Sequence, residues 1–175
     1  ELGDWLVEEF EAPASHCETV APALVRQGVK LETESLSHIY RVGVPTPVEA
    51  LQGVDLTIPP GSISALVGPS GSGKTTLVQH FNGLLRPSAG QVRLDGCDIW
   101  SDGDGRGARR QVGLVFQFPE DQLFEETVAA DVAFGPRNHG CAPAEATHRA
   151  ADALATVGLP VEAFGARAPL SLSGG

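Results

Sequence analysis

The sequence predicts an α/β fold with a β-rich start, an α/β core and a mainly helical insert, and three observations predict it. Apolar residues alternate through Val29, Leu31 and Thr33, and again through Val54, Leu56 and Ile58, which is the period of half-buried strands. A further apolar run, Ile63 to Val67, ends at Gly68-Pro69-Ser70-Gly71-Ser72-Gly73-Lys74-Thr75-Thr76, which fits the pattern G-x-x-x-x-G-K-[ST] and is followed by a helical pattern. Beyond about residue 118 the apolar residues recur at helical spacing.

Residues 1–28 are acidic at first, with Asp4, Glu8, Glu9 and Glu11, and then contain Pro and Ala without a core period. They are expected to form a poorly ordered extension, with the domain proper over 29–175. Val29 to Tyr40 reads as an antiparallel strand that includes Ile39 and is broken by Gly43, Pro45 and Pro47. Leu51 to Ile58 is its returning strand, Pro59-Pro60-Gly61 the turn, and Ser62 to Val67 the strand that enters the glycine-rich loop. After the loop, Leu77, Val78, Phe81, Leu84 and Leu85 share one helical face, and Arg86-Pro87-Ser88-Ala89-Gly90 ends the helix. Gln91 to Leu94 with Asp95-Gly96 is a strand running into a tight turn, and Ser101 to Gly107 is an exposed loop. Val112 to Phe116 reads as a short buried strand ending at the polar Gln117. Thr127 can cap a helix through Val128, Val132 and Phe134 that Gly135-Pro136 stops; Pro143 opens another, with Ala146, Ala150, Leu154 and Val157 on one face, closed by Gly158 and Pro160. The helical insert thus covers about 118–170.

The loop carries the chemistry. Glycines at 68, 71 and 73 let consecutive backbone amides turn inward around an anion. The helix starting near Lys74 adds unpaired N-terminal amides and the positive end of its dipole. Lys74 is placed to reach β and γ phosphates, Thr75 to ligate Mg2+ bridging their oxygens, and Thr76 to support the phosphate shell. A bare Gly/Ser turn before a core helix does not explain the strand and helix patterns that flank it.

Composition limits the partners. The chain has 175 residues and a formal net charge of −10, from 12 Lys and Arg against 22 Asp and Glu, which argues against a nucleic-acid surface. Cys17, Cys97 and Cys141 lack C-x-x-C spacing and fit a reducing compartment. No apolar run approaches the roughly eighteen residues that cross a bilayer, so a membrane role has to come through a partner. The five histidines, His16, His38, His80, His139 and His148, show no ligand spacing, and His80 reads as surface or core-edge packing. The lack of any Met and the ending Leu172-Ser173-Gly174-Gly175 read as a piece of a longer chain.

That ending, about a hundred residues after the phosphate loop and paired with Gln117, resembles the signature motif of ATP-binding-cassette (ABC) transporter ATPases, over Val29 to Gly175. Val115-Phe116-Gln117-Phe118-Pro119-Glu120-Asp121-Gln122-Leu123-Phe124 and Val132-Ala133-Phe134-Gly135-Pro136 resemble the ATPases of energy-coupling-factor importers for vitamins and for cobalt or nickel, and the run Gln79 to Leu85 one member of their ATPase pair. The resemblance implies a P-loop NTPase core with an antiparallel β subdomain and a helical subdomain, incomplete at the C-terminus, and a peripheral place on the cytoplasmic face of the cell membrane. It implies ATP and Mg2+ as ligands, Tyr40 stacking on adenine, and Gln117 touching Mg2+ and the attacking water. Residues Phe118 to Phe124 would form part of a groove for a coupling helix. Ser173, Gly174 and Gly175 would contact ATP held by the opposite subunit of a head-to-tail dimer. Partners would be that second ATPase subunit, a transmembrane coupling subunit and a substrate-binding membrane subunit. In such ATPases the acid that organises Mg2+, the adjacent carboxylate and a later histidine follow the signature, so residues 1–175 alone are not expected to turn over ATP. The alternatives are a non-catalytic nucleotide-binding module and the ATPase of another ABC transporter class; a P-loop kinase or GTPase is disfavoured by Gln117 and the signature tail.

Overall fold

The alternating stretches form two long antiparallel strands, β2 (Leu31–Tyr40) and β3 (Val48–Ile58), after a short β1 (Leu6–Phe10). The computed structural model describes residues 6–10, 28–40 and 46–173, which fall into two units, 1–114 and 115–175. In the first unit β2 is one of the two inner strands of a four-stranded antiparallel sheet of order β3-β2-β5-β6, completed by β5 (Ala89–Leu94) and β6 (Cys97–Asp98). Asp95 and Gly96 join the last two with φ of 49° and 79°, the doubly left-handed turn whose twist suits a two-residue hairpin.

A bulge in β2 changes which residues point inward. Leu31 and Thr33 are buried before it; Ser35 takes φ 46°, the register shifts, and Leu36 and His38 are buried after it. Ile39, expected inside by straight alternation, is only half-buried, and His38 takes the inward place. Against this face lies α1 (Lys74–Phe81), whose Leu77 and Phe81 join Leu36, Leu51 and Val92 in the core. The helix ends sooner than its apolar pattern suggests: the amides of Leu84 and Leu85 both turn back to the Gln79 carbonyl, and Leu84 is exposed. Within the loop expected at 101–107, the Asp102 carboxylate accepts from the Asp104 and Gly105 amides and leads into an unanticipated helix, α2 (Arg106–Gln111).

The strand that feeds the glycine-rich loop, β4 (Ile63–Val67), pairs antiparallel with β1, from Leu6 opposite Val67 to Phe10 opposite Ile63. The segment expected to be a poorly ordered extension therefore contributes a strand at 6–10. Residues 1–5 and 11–27 of that segment lie outside the described residues. The expected strand at 112–116 does not form: no strand pairs with it among the described residues, and Val115 is 79% exposed. A strand exists only as part of a ladder, so apolar character alone leaves this run outside the sheets.

The second unit is helical. A 3-10 turn (Pro119–Gln122) precedes α3 (Val128–Asn138), α4 (Pro143–Thr156), the short α5 (Val161–Phe164) and a final 3-10 turn (Pro169–Ser171). Thr127 caps α3 as expected, its hydroxyl accepting from the Ala130 amide at 3.3 Å. Gly135-Pro136 does not stop the helix. Pro136 lies two residues from its end, so the missing N–H forfeits one bond, and His139 still donates to the Gly135 carbonyl. Ala146, Ala150 and Leu154 of α4 are buried with Val128 and Ala133 of α3, while Val157, beyond the helix end, is exposed.

Candidate functional site

The loop between β4 and α1 has the backbone that its glycines permit. Gly71 and Gly73 have φ of 82° and 92°, and Gly73 serves as the N-cap residue of α1. At Gly73 a Cβ would also collide with the Ala50 carbonyl oxygen and stand 3.0 Å from Leu51 Cδ2, so β3 leaves room for nothing larger than glycine. Ser72 closes the turn, its amide and hydroxyl both donating to the Pro69 carbonyl, at 3.3 and 2.8 Å. Leu77 is the first residue of α1 whose amide finds a carbonyl inside the turn, Gly73 O at 2.8 Å; the amides of Lys74, Thr75 and Thr76 precede the helix ladder and face its open end.

Lys74 folds back over this loop. Its Nζ donates to the Gly68 and Pro69 carbonyls, both at 2.7 Å, and lies 3.3 Å from Ser72 Oγ. Gly68, Pro69, Ser70 and Thr75 are exposed around it. An ammonium, a row of first-turn amides and a left-handed glycine pair thus lie together in one exposed loop, a donor set that suits an anion with several oxygens.

Thr76 and Tyr40 are brought together. Thr76 is buried, and its Oγ1 lies 3.2 Å from the Tyr40 hydroxyl, so the aromatic predicted to stack on a base stands at the first turn of the phosphate-loop helix. Behind them His38 and His80 form a pair, of which sequence reading placed His80 at the surface or the core edge. His80 has no exposure; its Nδ1 lies 2.7 Å from the Thr76 carbonyl and its Nε2 3.1 Å from His38 Nδ1. The His38 ring meets both Tyr40 and His80 edge-on, at 4.5 and 4.7 Å between centroids. Burial holds the His80 pKa below the ordinary histidine value, and the neighbouring His38 adds to this, against the opposing pull of the Thr76 and Arg86 carbonyls. The only hint of this pair in the sequence was that His38 lies two residues before Tyr40 and His80 four after Thr76.

In the second unit Gln117 and Phe118 are exposed in a bend before the 3-10 turn. Asp131 of α3 accepts from the amides of Phe124 and Glu125, both at 3.1 Å, and Arg137 pairs with Glu125 at 3.0 Å, which ties that segment to the helix. Phe124, 63% exposed, packs edge-on against Phe134. A groove of about 710 Å³ within this unit is lined by Leu123, Val132, Leu154, Leu159 and Leu170, with Glu120 on its wall. Ser173 is exposed, and Gly174 and Gly175 lie outside the described residues. Gln117 and Ser173 belong to this unit and the phosphate loop to the other.

Among the described residues no group of three or more His, Cys, Asp or Glu could hold a metal ion. The Thr75 hydroxyl in the first unit and the Gln117 amide oxygen in the second are exposed hard oxygen donors of the kind Mg2+ takes. No helix among the described residues is long and apolar enough to cross a membrane.

Residues 51–175 match the family model described as ABC transporter. The chain is 54% identical, over 144 residues, to an energy-coupling factor transporter ATP-binding protein EcfA2 of Symbiobacterium thermophilum, covering 81% of this chain and 49% of that one. It is 53% identical over 136 residues to the protein of the same name from Halalkalibacterium halodurans, covering 76% and 48%. The chain thus spans about half the length of the curated relatives it matches. Among solved structures, cbiO1 from Clostridium perfringens, part of the ABC transporter complex cbiONQ, superposes with a TM-score of 0.62 at 31% identity, covering 85% of this chain and 57% of that one. A dimeric post-hydrolysis state of the ATP-binding cassette MJ0796 bound to ADP and Pi superposes at 0.60 and 24% identity, covering 82% and 63%, a likeness of fold alone.

Proposed function

Because the chain belongs to the ABC transporter family, we propose that it is the nucleotide-binding part of an ATPase subunit that energises uptake through an energy-coupling-factor importer. The observation that carries the reading is the loop from Gly68 to Thr76, where Lys74 Nζ folds back over the loop at the N-terminal turn of α1. The relatives named for energy-coupling-factor transport support the class of machine.

In this reading the loop amides and Lys74 hold the β and γ phosphates of ATP, and Tyr40 stacks on the adenine. The Thr75 hydroxyl and the Gln117 amide oxygen would hold Mg2+, which would supply neutralisation of phosphate charge. Ser173, Gly174 and Gly175 reach ATP on a second ATPase subunit in a head-to-tail dimer. The groove of the second unit, with Phe124 at hand, receives a helix of a transmembrane coupling subunit at the cytoplasmic face of the membrane, and a membrane subunit selects a vitamin or a cobalt or nickel ion. Hydrolysis is assigned to the assembled transporter. Residues 1–175 hold no Asp-Glu pair closing an apolar run, so this stretch alone should bind nucleotide without turning it over.

The test is titration of the full-length protein with MgATP and MgGTP, followed by phosphate release from its membrane complex. Preference for ATP, with turnover that Lys74→Ala abolishes, supports the proposal. A strong preference for guanine would return the chain to the kinase or GTPase class, and ATP binding without turnover in the complex would leave a non-catalytic module.

A further inference from the structure

We infer that His38 and His80 form a buried brace that positions Tyr40 against the phosphate-loop helix, and so act as positioning residues for adenine-nucleotide binding. The inference rests on the nucleotide reading above.

Two polar contacts join β2 to α1, and their spacing is matched. Tyr40 meets Thr76 and His38 meets His80, so the step is two residues along the strand and four along the helix. Two strand residues rise about 6.6–6.8 Å and four helix residues about 6 Å, so both pairs can close together in only one register of helix on sheet. The bulge at Ser35 makes this possible. Without the change of phase it introduces, Leu36, His38 and Tyr40 would face away from α1.

The direction of the hydrogen bonds follows from one fixed group. The Thr76 carbonyl can only accept, so His80 Nδ1 donates to it; neutral His80 then presents a lone pair at Nε2, and His38 Nδ1 donates to that. Thr76 is thereby held twice, by its carbonyl through His80 and by its hydroxyl at Tyr40. The groups acting on His80 are the Thr76 carbonyl of its own helix, His38 of β2 and the Arg86 carbonyl that follows the helix; Tyr40 of β2 lies beyond His38, and no carboxylate acts on His80 among the described residues. With no carboxylate to absorb a charge, a proton added at His80 Nε2 would be set against the Nδ1–H that His38 now donates there. Acid should therefore part the strand from the helix at this point. Both rings are buried, which is why the pair acts through Tyr40 and Thr76 and not on the nucleotide itself.

The experiment is a double-mutant cycle in the full-length protein, read by MgADP titration at about pH 7.5 and about pH 5.5 and by thermal unfolding. His80→Gln keeps a polar group toward His38 and loses the bond to the Thr76 carbonyl. It should raise the MgADP Kd about three- to tenfold, the size of one lost hydrogen bond. The rise should disappear when Tyr40 is already alanine, and acid should weaken wild-type binding more than it weakens the variant. His38→Gln should repeat the pattern and serves if the first variant does not fold. A lower unfolding temperature with unchanged Kd, effects that add in full to those of Tyr40→Ala, or identical pH profiles in variant and wild type would each overturn the inference and leave the brace as plain core packing. A wild type that binds MgADP no better than Lys74→Ala would instead overturn the nucleotide reading beneath it.

Discussion

Replacing Lys74 by alanine removes an ammonium whose present partners set the size of the loss. Nζ is not waiting in solvent; it donates to the Gly68 and Pro69 carbonyls at 2.7 Å each. When a phosphate enters, these neutral acceptors are exchanged for anionic ones, so the lysine contributes only the difference between the two sets of bonds. A hydrogen bond to a charged group is worth about 1.5–3 kcal/mol, and truncating one member of a buried charged pair costs about 2–5 kcal/mol. The exchange puts Lys74→Ala at the lower end, about 2–3 kcal/mol, or roughly 30- to 150-fold in Kd. The fold should hardly notice, because the carbonyls left behind belong to exposed residues and can bind water. Calorimetric titration with MgATP and MgADP, beside a thermal unfolding curve, separates the two effects. A Kd within about twofold of wild type, on the scale where 1.4 kcal/mol is tenfold, would refute the assignment of Lys74 to phosphate. A large fall in unfolding temperature would show instead that the ammonium is a strut of the loop.

Tyr40→Ala should weaken MgATP and MgADP alike, by about 1–3 kcal/mol, because stacking engages the base and ignores the γ-phosphate; an effect on ATP alone in the same titration contradicts the stacking role. Gly73→Ala should cost about 1–3 kcal/mol for the left-handed backbone alone and more for the collision with β3, so it should lower the unfolding temperature and abolish nucleotide binding together, and a variant with wild-type stability would show that the loop is pliable. Thr127→Ala removes the N-cap of α3 and should destabilise by about 1 kcal/mol in denaturant unfolding, with nucleotide affinity untouched. His80 is held neutral by burial, so its folded pKa lies below 6.5 and the unfolded chain binds the extra proton first; the stability it lends is complete above pH 6.5 and is lost as pH falls from there through the folded value, a loss that denaturant midpoints should show and that His80→Gln should lack.

What the sequence revealed was local, and what it hid depended on partners. The phosphate loop was legible because its spacing is its geometry: glycines that need positive φ stand at 71 and 73, and the lysine follows at once. The hairpin turn at Asp95-Gly96 and the cap at Thr127 were legible for the same reason. The bulge at Ser35 was not, since no residue there demands it; the close approach of Gly90 to the Ser35 carbonyl comes from a strand more than fifty residues away. Missing that bulge put Ile39 in the core in place of His38, and with it the meaning of His80 was lost. Residues 112–116 failed in the opposite sense, because apolar character proposes a strand and only a neighbour makes one.

The same dependence explains what holds the backbone of the loop in place. A run of exposed backbone amides facing one another would ordinarily close up or fill with a side chain. Here the backbone is set from the β3 side, where Gly73 sits against the Ala50 carbonyl, and from the β2 side, where Tyr40 and the histidines hold Thr76. The carbonyls that a phosphate would repel are already turned toward Lys74. Binding then asks chiefly for one side chain to move, and side-chain ordering costs about 0.5–1.5 kcal/mol where refolding a six-residue loop would cost several. Affinity in such a site depends on the elements behind the loop as much as on the motif itself.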